Sequence, residues 1–205
     1  MAVIRVEHPL IEDVLTTLRD AATPREDFRR LTRKLSSLLV FEASRNLPLR
    51  QVDVETPLER TTGGRLNAEI VLVPVLRAGM GMLDSLLELF PGASVGYVGL
   101  ERDEETAVAR RYYLKLPDLA DRHVFLLDPM LATGGSALAA IQALKEQGAR
   151  SIRLLCIVAA PEGVALLEKH CPDVSIFAAA IDRQLDERKY ILPGLGDFGD
   201  RLFGT

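Results

Sequence analysis

The chain carries little of what staples or metallates a small fold. Two cysteines, Cys156 and Cys171, and three histidines, His8, His123 and His170, are spread through 205 residues. Two cysteines make no disulfide framework, so a reducing, cytoplasmic setting is expected. Cys156 lies in an apolar strand pattern and Cys171 at a helix end, and both read as buried structural thiols. No Cys/His cluster has metal-ligand spacing, and no Ser-His-Asp set or close carboxylate pair is visible. No apolar run approaches the ~20 residues of a membrane span, and no basic-then-apolar leader opens the chain. Positive charge is not in excess: the net charge is −4 and the pI about 5.5, which argues against a nucleic-acid partner. There is no internal repeat. Two well-known phosphate loops are also missing, Gly-x-x-x-x-Gly-Lys-Ser/Thr and Gly-x-Gly-x-x-Gly after a strand.

What is present is an alternation of short apolar runs and helical stripes. Strands are expected at 70–73, 95–100, 112–116, 124–127, 152–158 and 174–179. Helices are expected at 9–21, from about 24 to 45, and at 79–90, 135–147 and 161–170. The first helix would bury Leu10, Val14, Leu15 and Leu18, and the second would open with Thr23 as N-cap, Pro24 at N1 and Glu26 closing a capping box. Gly148 is placed to end its helix at C′. Residues 47–62 read as irregular or strand. The pattern implies an α/β fold with a mainly parallel sheet flanked by helices, in one domain over 1–205.

Chemistry concentrates after Val124–Leu127. The run ends on Asp128, a short loop reaches Thr133-Gly134-Gly135-Ser136, and a helical pattern begins. Free N–H groups and the positive helix end gather there, which suits a phosphate. A lone Thr-Gly-Gly-Ser is equally a tight strand-to-helix turn. The acid upstream favours a phosphorylated sugar, whose hydroxyls need an acceptor. Arg77, just past another strand, would face the same crevice.

The stretch 126–136 resembles the donor-binding loop of type I phosphoribosyltransferases, in the Asp-Pro-Met-Leu-Ala-Thr-Gly-Gly form of the uracil phosphoribosyltransferase family. Four more motifs follow that family's order: 73–79, 102–106, 159–163 and 193–200. The resemblance implies transfer of phosphoribose from 5-phosphoribosyl 1-diphosphate to uracil, giving UMP and diphosphate. By carry-over Asp128, Pro129, Met130, Leu131, Ala132, Thr133, Gly134, Gly135 and Ser136 hold the ribose 5-phosphate. Arg77, Ala78 and Gly79 form the diphosphate loop, and Arg102 closes on it from a β-arm at about 94–116. Asp197 faces the ribose and metal. Tyr190, Ile191, Gly196, Asp197 and Phe198 form the uracil site in a loop hood over 181–205. The catalytic set would be Asp128, Arg77, Arg102 and Asp197.

Mg²⁺ is implied as cofactor, held mainly by the substrate and not by a protein ligand set. A homodimer or larger homo-oligomer, supported by the arm and the N-terminal helices, and a GTP activator are implied as well. Taken alone, Arg77 would suit a surface ion pair, 101–111 a solvated charged hairpin and Asp197 an Asx turn. The arm departs from the family, with Ala107-Val108-Ala109-Arg110-Arg111 where Leu-Glu-Pro-Val-type residues are usual. Two other functions compete: a purine phosphoribosyltransferase, opposed by Pro-Gly-Leu-Gly-Asp, and an RNA-binding regulator on the same fold, opposed by the acidic pI.

Overall fold

The computed structural model describes residues 3–102 and 109–205, with backbone alone for 101, 102 and 109–111. The expected arm tip at 103–108 and the side chain of Arg102 lie outside the described residues. The chain opens with β1 (Val3–Arg5), α1 (Pro9–Arg19) and α2 (Arg25–Ala43). A ribbon of β2 (Leu49–Glu55) and β3 (Arg60–Leu66) follows. Then come β4 (Ile70–Leu76), α3 (Met80–Leu89), β5 (Ser94–Val95), β6 (Tyr97–Arg102) and β7 (Ala109–Lys115). The second half holds β8 (His123–Leu127), β9 (Met130–Leu131), α4 (Gly135–Glu146), β10 (Ser151–Ala159), α5 (Pro161–His170) and β11 (Ser175–Ile181). It closes with β12 (Gln184–Leu185), β13 (Ile191–Leu192) and α6 (Phe198–Phe203).

The main sheet runs β1-β11-β10-β8-β4-β6-β7, with β5 on β4 and β9 on β10. Every described pairing in it is parallel except β6 with β7. Strand β8 is apolar at every inner position because helices cover both faces. Phe125 and Leu127 enter one core with α1, α2 and α3, while Val124 and Leu126 enter the other with α4. Pro74 has no N–H to give a ladder, and it falls at the break between β5 and β6, where β4 has no partner on that side.

The helices after β4 and β8 lie on opposite faces: α3 buries Met82, Leu83 and Leu86 in one core, and α4 buries Ala140, Ile141 and Leu144 in the other. The chain therefore leaves these neighbouring strands in opposite directions. The crevice at their carboxyl ends is the topological switch point, where open α/β sheets bind ligands.

Several expectations change. Leu10 is 48% exposed and Ile11 is buried in its place, a shift of one residue around the helix. Thr23 does not cap α2: its hydroxyl donates to the Thr17 carbonyl at 2.5 Å, and Pro24 takes the cap position. Residues 49–66 form an antiparallel ribbon with nearly every residue exposed. The hood over 181–205, expected as a loop, contains β12, β13 and α6. Gly148 does end α4, at φ +90°. The Gly148 N–H donates to the Lys145 carbonyl and the Ala149 N–H to the Leu144 carbonyl, which makes a Schellman cap. Both cysteines are free and buried.

Candidate active site

The switch point is built from two loops in contact. After β8 the chain is stitched to β10: the Asp128 N–H donates to the Leu155 carbonyl, and Pro129 accepts from Ile157 and Val158. Gly134 then turns left-handed at φ +83° and starts α4 with no side-chain cap. The first N–H groups of α4 thus remain available to an anion. A small pocket of about 40 Å³ opens there, lined by Asp128, Met130, Thr133, Gly134 and Ser136 among others.

The second loop, Arg77-Ala78-Gly79, joins β4 to α3. A Cβ on Gly79 would lie 2.3 Å from the Leu127 carbonyl oxygen and 2.7 Å from the Val75 oxygen. Only glycine allows this loop to press against the end of β8, next to Asp128. The Arg77 guanidinium lies 5.9 Å from the Phe203 ring centroid, close enough for a cation–π contact.

Asp128 is 9% exposed. Burial pushes its carboxyl up from 3.8 to about 7, opposed by the Met130 N–H. The folded chain thus holds this proton more tightly than the unfolded chain. Its stabilising contribution is full below pH 3.8 and is lost as the pH rises through about 7.

Adjoining this cradle is a larger pocket of about 310 Å³, which shares Met130 and Ala132 with it. Tyr190, Ile191, Gly196, Asp197 and Phe198, the five residues that the resemblance assigns to the base, all line it. The side chains of Ile191 and Phe198 belong to the core, Phe198 with its ring centroid 5.1 Å from that of Phe28. These residues can therefore offer the pocket mainly backbone. Asp197 caps α6 by accepting the Asp200 N–H, three residues on, at 2.9 Å, an N-cap in place of the Asx turn that was the alternative reading.

An ion pair fixes the loop behind this pocket. Arg19 meets buried Asp182 in a bidentate contact at 2.8 and 2.6 Å. The Gly194 N–H donates to Asp182 at 2.8 Å, and the Gly194 carbonyl accepts from Arg19 at 2.6 Å. Arg201 donates to the carbonyls of Leu18, Leu195 and Asp20, with its guanidinium 4.4 Å from the Phe28 centroid. A larger cleft among the described residues, about 580 Å³, borders α1 and β11 and includes none of the expected site residues.

The sequence matches the family model described as uracil phosphoribosyltransferase over residues 5–205. The chain belongs to the uracil phosphoribosyltransferase family. A uracil phosphoribosyltransferase of Rhodococcus jostii is 52% identical over 98% of this chain and 97% of its own length. One from Wolinella succinogenes is 52% identical over the full length of both. Among solved structures, the AQ2163 protein of Aquifex aeolicus superposes with TM-score 0.94 at 38% identity, covering 99% of this chain and 98% of its own. Adenine phosphoribosyltransferase of Giardia lamblia reaches TM-score 0.51 at 14% identity, over 84% and 85% of the two chains, which speaks to fold alone.

For this family member the fold brings most of the expected residues to one crevice. Asp128 and 130–136 form the cradle, 77–79 abut it through Gly79, and 190–198 wall the adjoining pocket. Sequence reasoning missed Arg188 and Lys189, which also line that pocket. It missed the Arg19–Asp182 clamp too, whose partners stand 163 positions apart. A clue was available for Asp182, an acid closing an apolar strand as Asp128 does.

Proposed function

We propose that the chain acts as one phosphoribosyltransferase domain that joins uracil to the phosphoribosyl group of 5-phosphoribosyl 1-diphosphate, releasing diphosphate and forming UMP. The observation that carries this is the wall shared by the two pockets. Met130 and Ala132 border both, so a base in one and a 5-phosphate in the other would be bridged by a ribose. Uracil N1 bonds to C1 of the ribose as the bond to the diphosphate oxygen breaks. The electron pair leaves with the diphosphate, and the N1 proton passes to solvent or to the released diphosphate.

In this reading Thr133, Gly134, Gly135 and Ser136 bind the 5-phosphate, and Asp128 accepts from the ribose hydroxyls. Arg77, Ala78, Gly79 and Arg102 bind the diphosphate. Backbone at 191–198 reads the base edge. Preorganised dipoles and charges stabilise the oxocarbenium-like state without a covalent nucleophile. The decisive experiment is a coupled assay of UMP formation offered each nucleobase in turn.

Two consequences concern Asp128. An acceptor for hydroxyls works best ionised, so donor kcat/KM should rise as the pH passes through about 7. In Asp128→Asn that acidic limb should vanish and kcat/KM fall roughly 10- to 150-fold, the worth of a charge-assisted hydrogen bond. The same variant should resist denaturant better than the parent at pH 8, because a buried charge is gone. An unchanged pH profile would remove Asp128 from the mechanism.

Mg²⁺ belongs to the same proposal. Asp128 and Asp197 line adjoining pockets, and their carboxylate oxygens suit a hard cation. Bound with the donor, Mg²⁺ would neutralise charge on the departing diphosphate. Activity should fall to background in excess EDTA and return with added Mg²⁺. Full activity in EDTA would refute the requirement.

A homo-oligomer is proposed as well. The β2–β3 ribbon is exposed on both faces, with Leu58 at its turn 95% exposed, and an isolated two-stranded ribbon is marginal in water. A particle of at least twice 22.5 kDa is the expected result of light scattering at micromolar concentration. A fully active monomer would contradict it. GTP activation extends the proposal on family resemblance, and a cytoplasmic location extends it on the two free, buried cysteines. No helix among the described residues is long and apolar enough to cross a membrane.

A further inference from the structure

The motif Ala159-Ala160-Pro161-Glu162-Gly163 has no role in the chemistry above, yet its geometry spans both halves of the site. Glu162 stands in the first turn of α5, where an acid is favoured by the helix dipole. Its Oε1 accepts the Leu185 N–H at 2.9 Å. Leu185 pairs antiparallel with Ile191, which lines the 310 Å³ pocket. The neighbouring residue faces the other way. A Cβ on Gly163 would lie 2.5 Å from the Ala132 carbonyl oxygen, and a Cβ on Gly134 would lie 3.0 Å from the Gly163 carbonyl oxygen. One residue of this turn therefore backs the phosphate cradle, while the one before it holds the base ribbon.

That ribbon needs holding. Strands β12 and β13 contribute two residues each, too few for independent stability. Its base is pinned through Asp182 and Gly194, and its turn through Asp186, which accepts from Arg188 and Tyr190. The Glu162 bond ties its middle to α5. The Leu185 N–H holds the Glu162 carboxyl below the usual carboxylate range, with Lys189 adding a smaller pull.

We propose that Glu162 is a positioning residue that sets the base ribbon in register with the phosphate cradle, and so fixes how the base meets C1 of the donor. This rests on the uracil reading of the site. It acts through Leu185 and Ile191, not by touching substrate.

The test uses the full chain with two variants and two readouts. E162A should raise the uracil KM and lower kcat, about 10-fold in kcat/KM for uracil, the worth of one charge-assisted hydrogen bond. The donor KM should stay within about twofold, and Tm should move little because the group is exposed. E162Q keeps an acceptor oxygen and should recover most of the loss. Hydrogen exchange without substrates should show faster exchange at 184–192 in E162A than in the parent or in E162Q. Unchanged exchange and unchanged uracil KM in E162A would overturn the proposal. So would parallel losses in both KM values with a large fall in Tm, or an E162Q as impaired as E162A. If the parent chain makes no UMP while exchange still responds, the uracil reading fails and the ribbon tie stands.

Discussion

Cytosine should be turned over at least about 100-fold less efficiently than uracil. Uracil presents an acceptor, a donor and an acceptor along its edge. Cytosine puts an amino donor in place of O4 and loses the N3 proton. A backbone loop cannot flip its groups to suit if it is held at both ends. Here the N–H and carbonyl of Gly194 are held by Asp182 and Arg19, the Leu195 carbonyl accepts from Arg201, and Ile191 and Phe198 are rooted in the core. Two mismatched polar groups cost roughly 1–3 kcal/mol each, giving discrimination on the order of 10²–10⁴-fold. Ile191→Val should scarcely change it. Gly196→Val should damage uracil use, because Gly196 sits at φ +79°, where β-branched residues are strained. The nearest atom to a Cβ there is an Arg201 side-chain carbon at 3.7 Å, so strain and not collision is the cause. Competing-substrate kcat/KM values decide the matter. Cytosine within tenfold of uracil, or intact uracil binding in Gly196→Val, would show that the edge is not read by fixed backbone.

The second large effect is expected at the clamp. The Asp182 side chain is 6% exposed and that of Arg19 24%. Asp182→Ala leaves the arginine without its carboxylate and the Gly194 N–H without its acceptor. Breaking a buried pair from one side costs roughly 3–5 kcal/mol, and the partial exposure of Arg19 argues for the lower end. In a chain of this length that lowers Tm by roughly 6–12 °C. Replacing both partners, as Arg19→Met with Asp182→Leu, should restore much of the stability, since no charge is then stranded. It should not restore uracil use, because Gly194 still lacks its acceptor. A Tm for Asp182→Ala within 2 °C of the parent would show that the pair is not a structural clamp.

The parts of the fold legible in the sequence share one property: their side chains carry a pattern imposed by burial. Strand β8 is an apolar run because both its faces are covered, and Asp128, itself buried, marks where the strand ends. Helix α5 was legible over Pro161–His170 because Pro161 suits a first-turn position. The ribbon at 49–66 was legible only as irregular or strand over 47–62, since a ribbon without a core face has no reason to alternate. The three residues of β1 become a strand only by pairing with β11, a partner far along the chain. Leu10 and Ile11 are adjacent apolar residues, and composition cannot say which faces inward. The loops that meet at the crevice were legible through motif resemblance and their glycines. The clamp was not, because Arg19 and Asp182 gain meaning only once folding brings them together.

If the proposed function holds, the buried acid of the cradle has a calorimetric consequence. Near neutrality the empty protein is a mixture of two protonation states, one with Asp128 neutral and one with it charged. A donor that prefers the charged state must expel a fraction of a proton into the medium as it docks. The observed heat of docking would then include the ionisation heat of whichever buffer takes that proton. Titrations in phosphate and in Tris would give different enthalpies at one pH. Their difference counts the protons released, and that count shrinks as the starting pH is raised and the acid is already ionised.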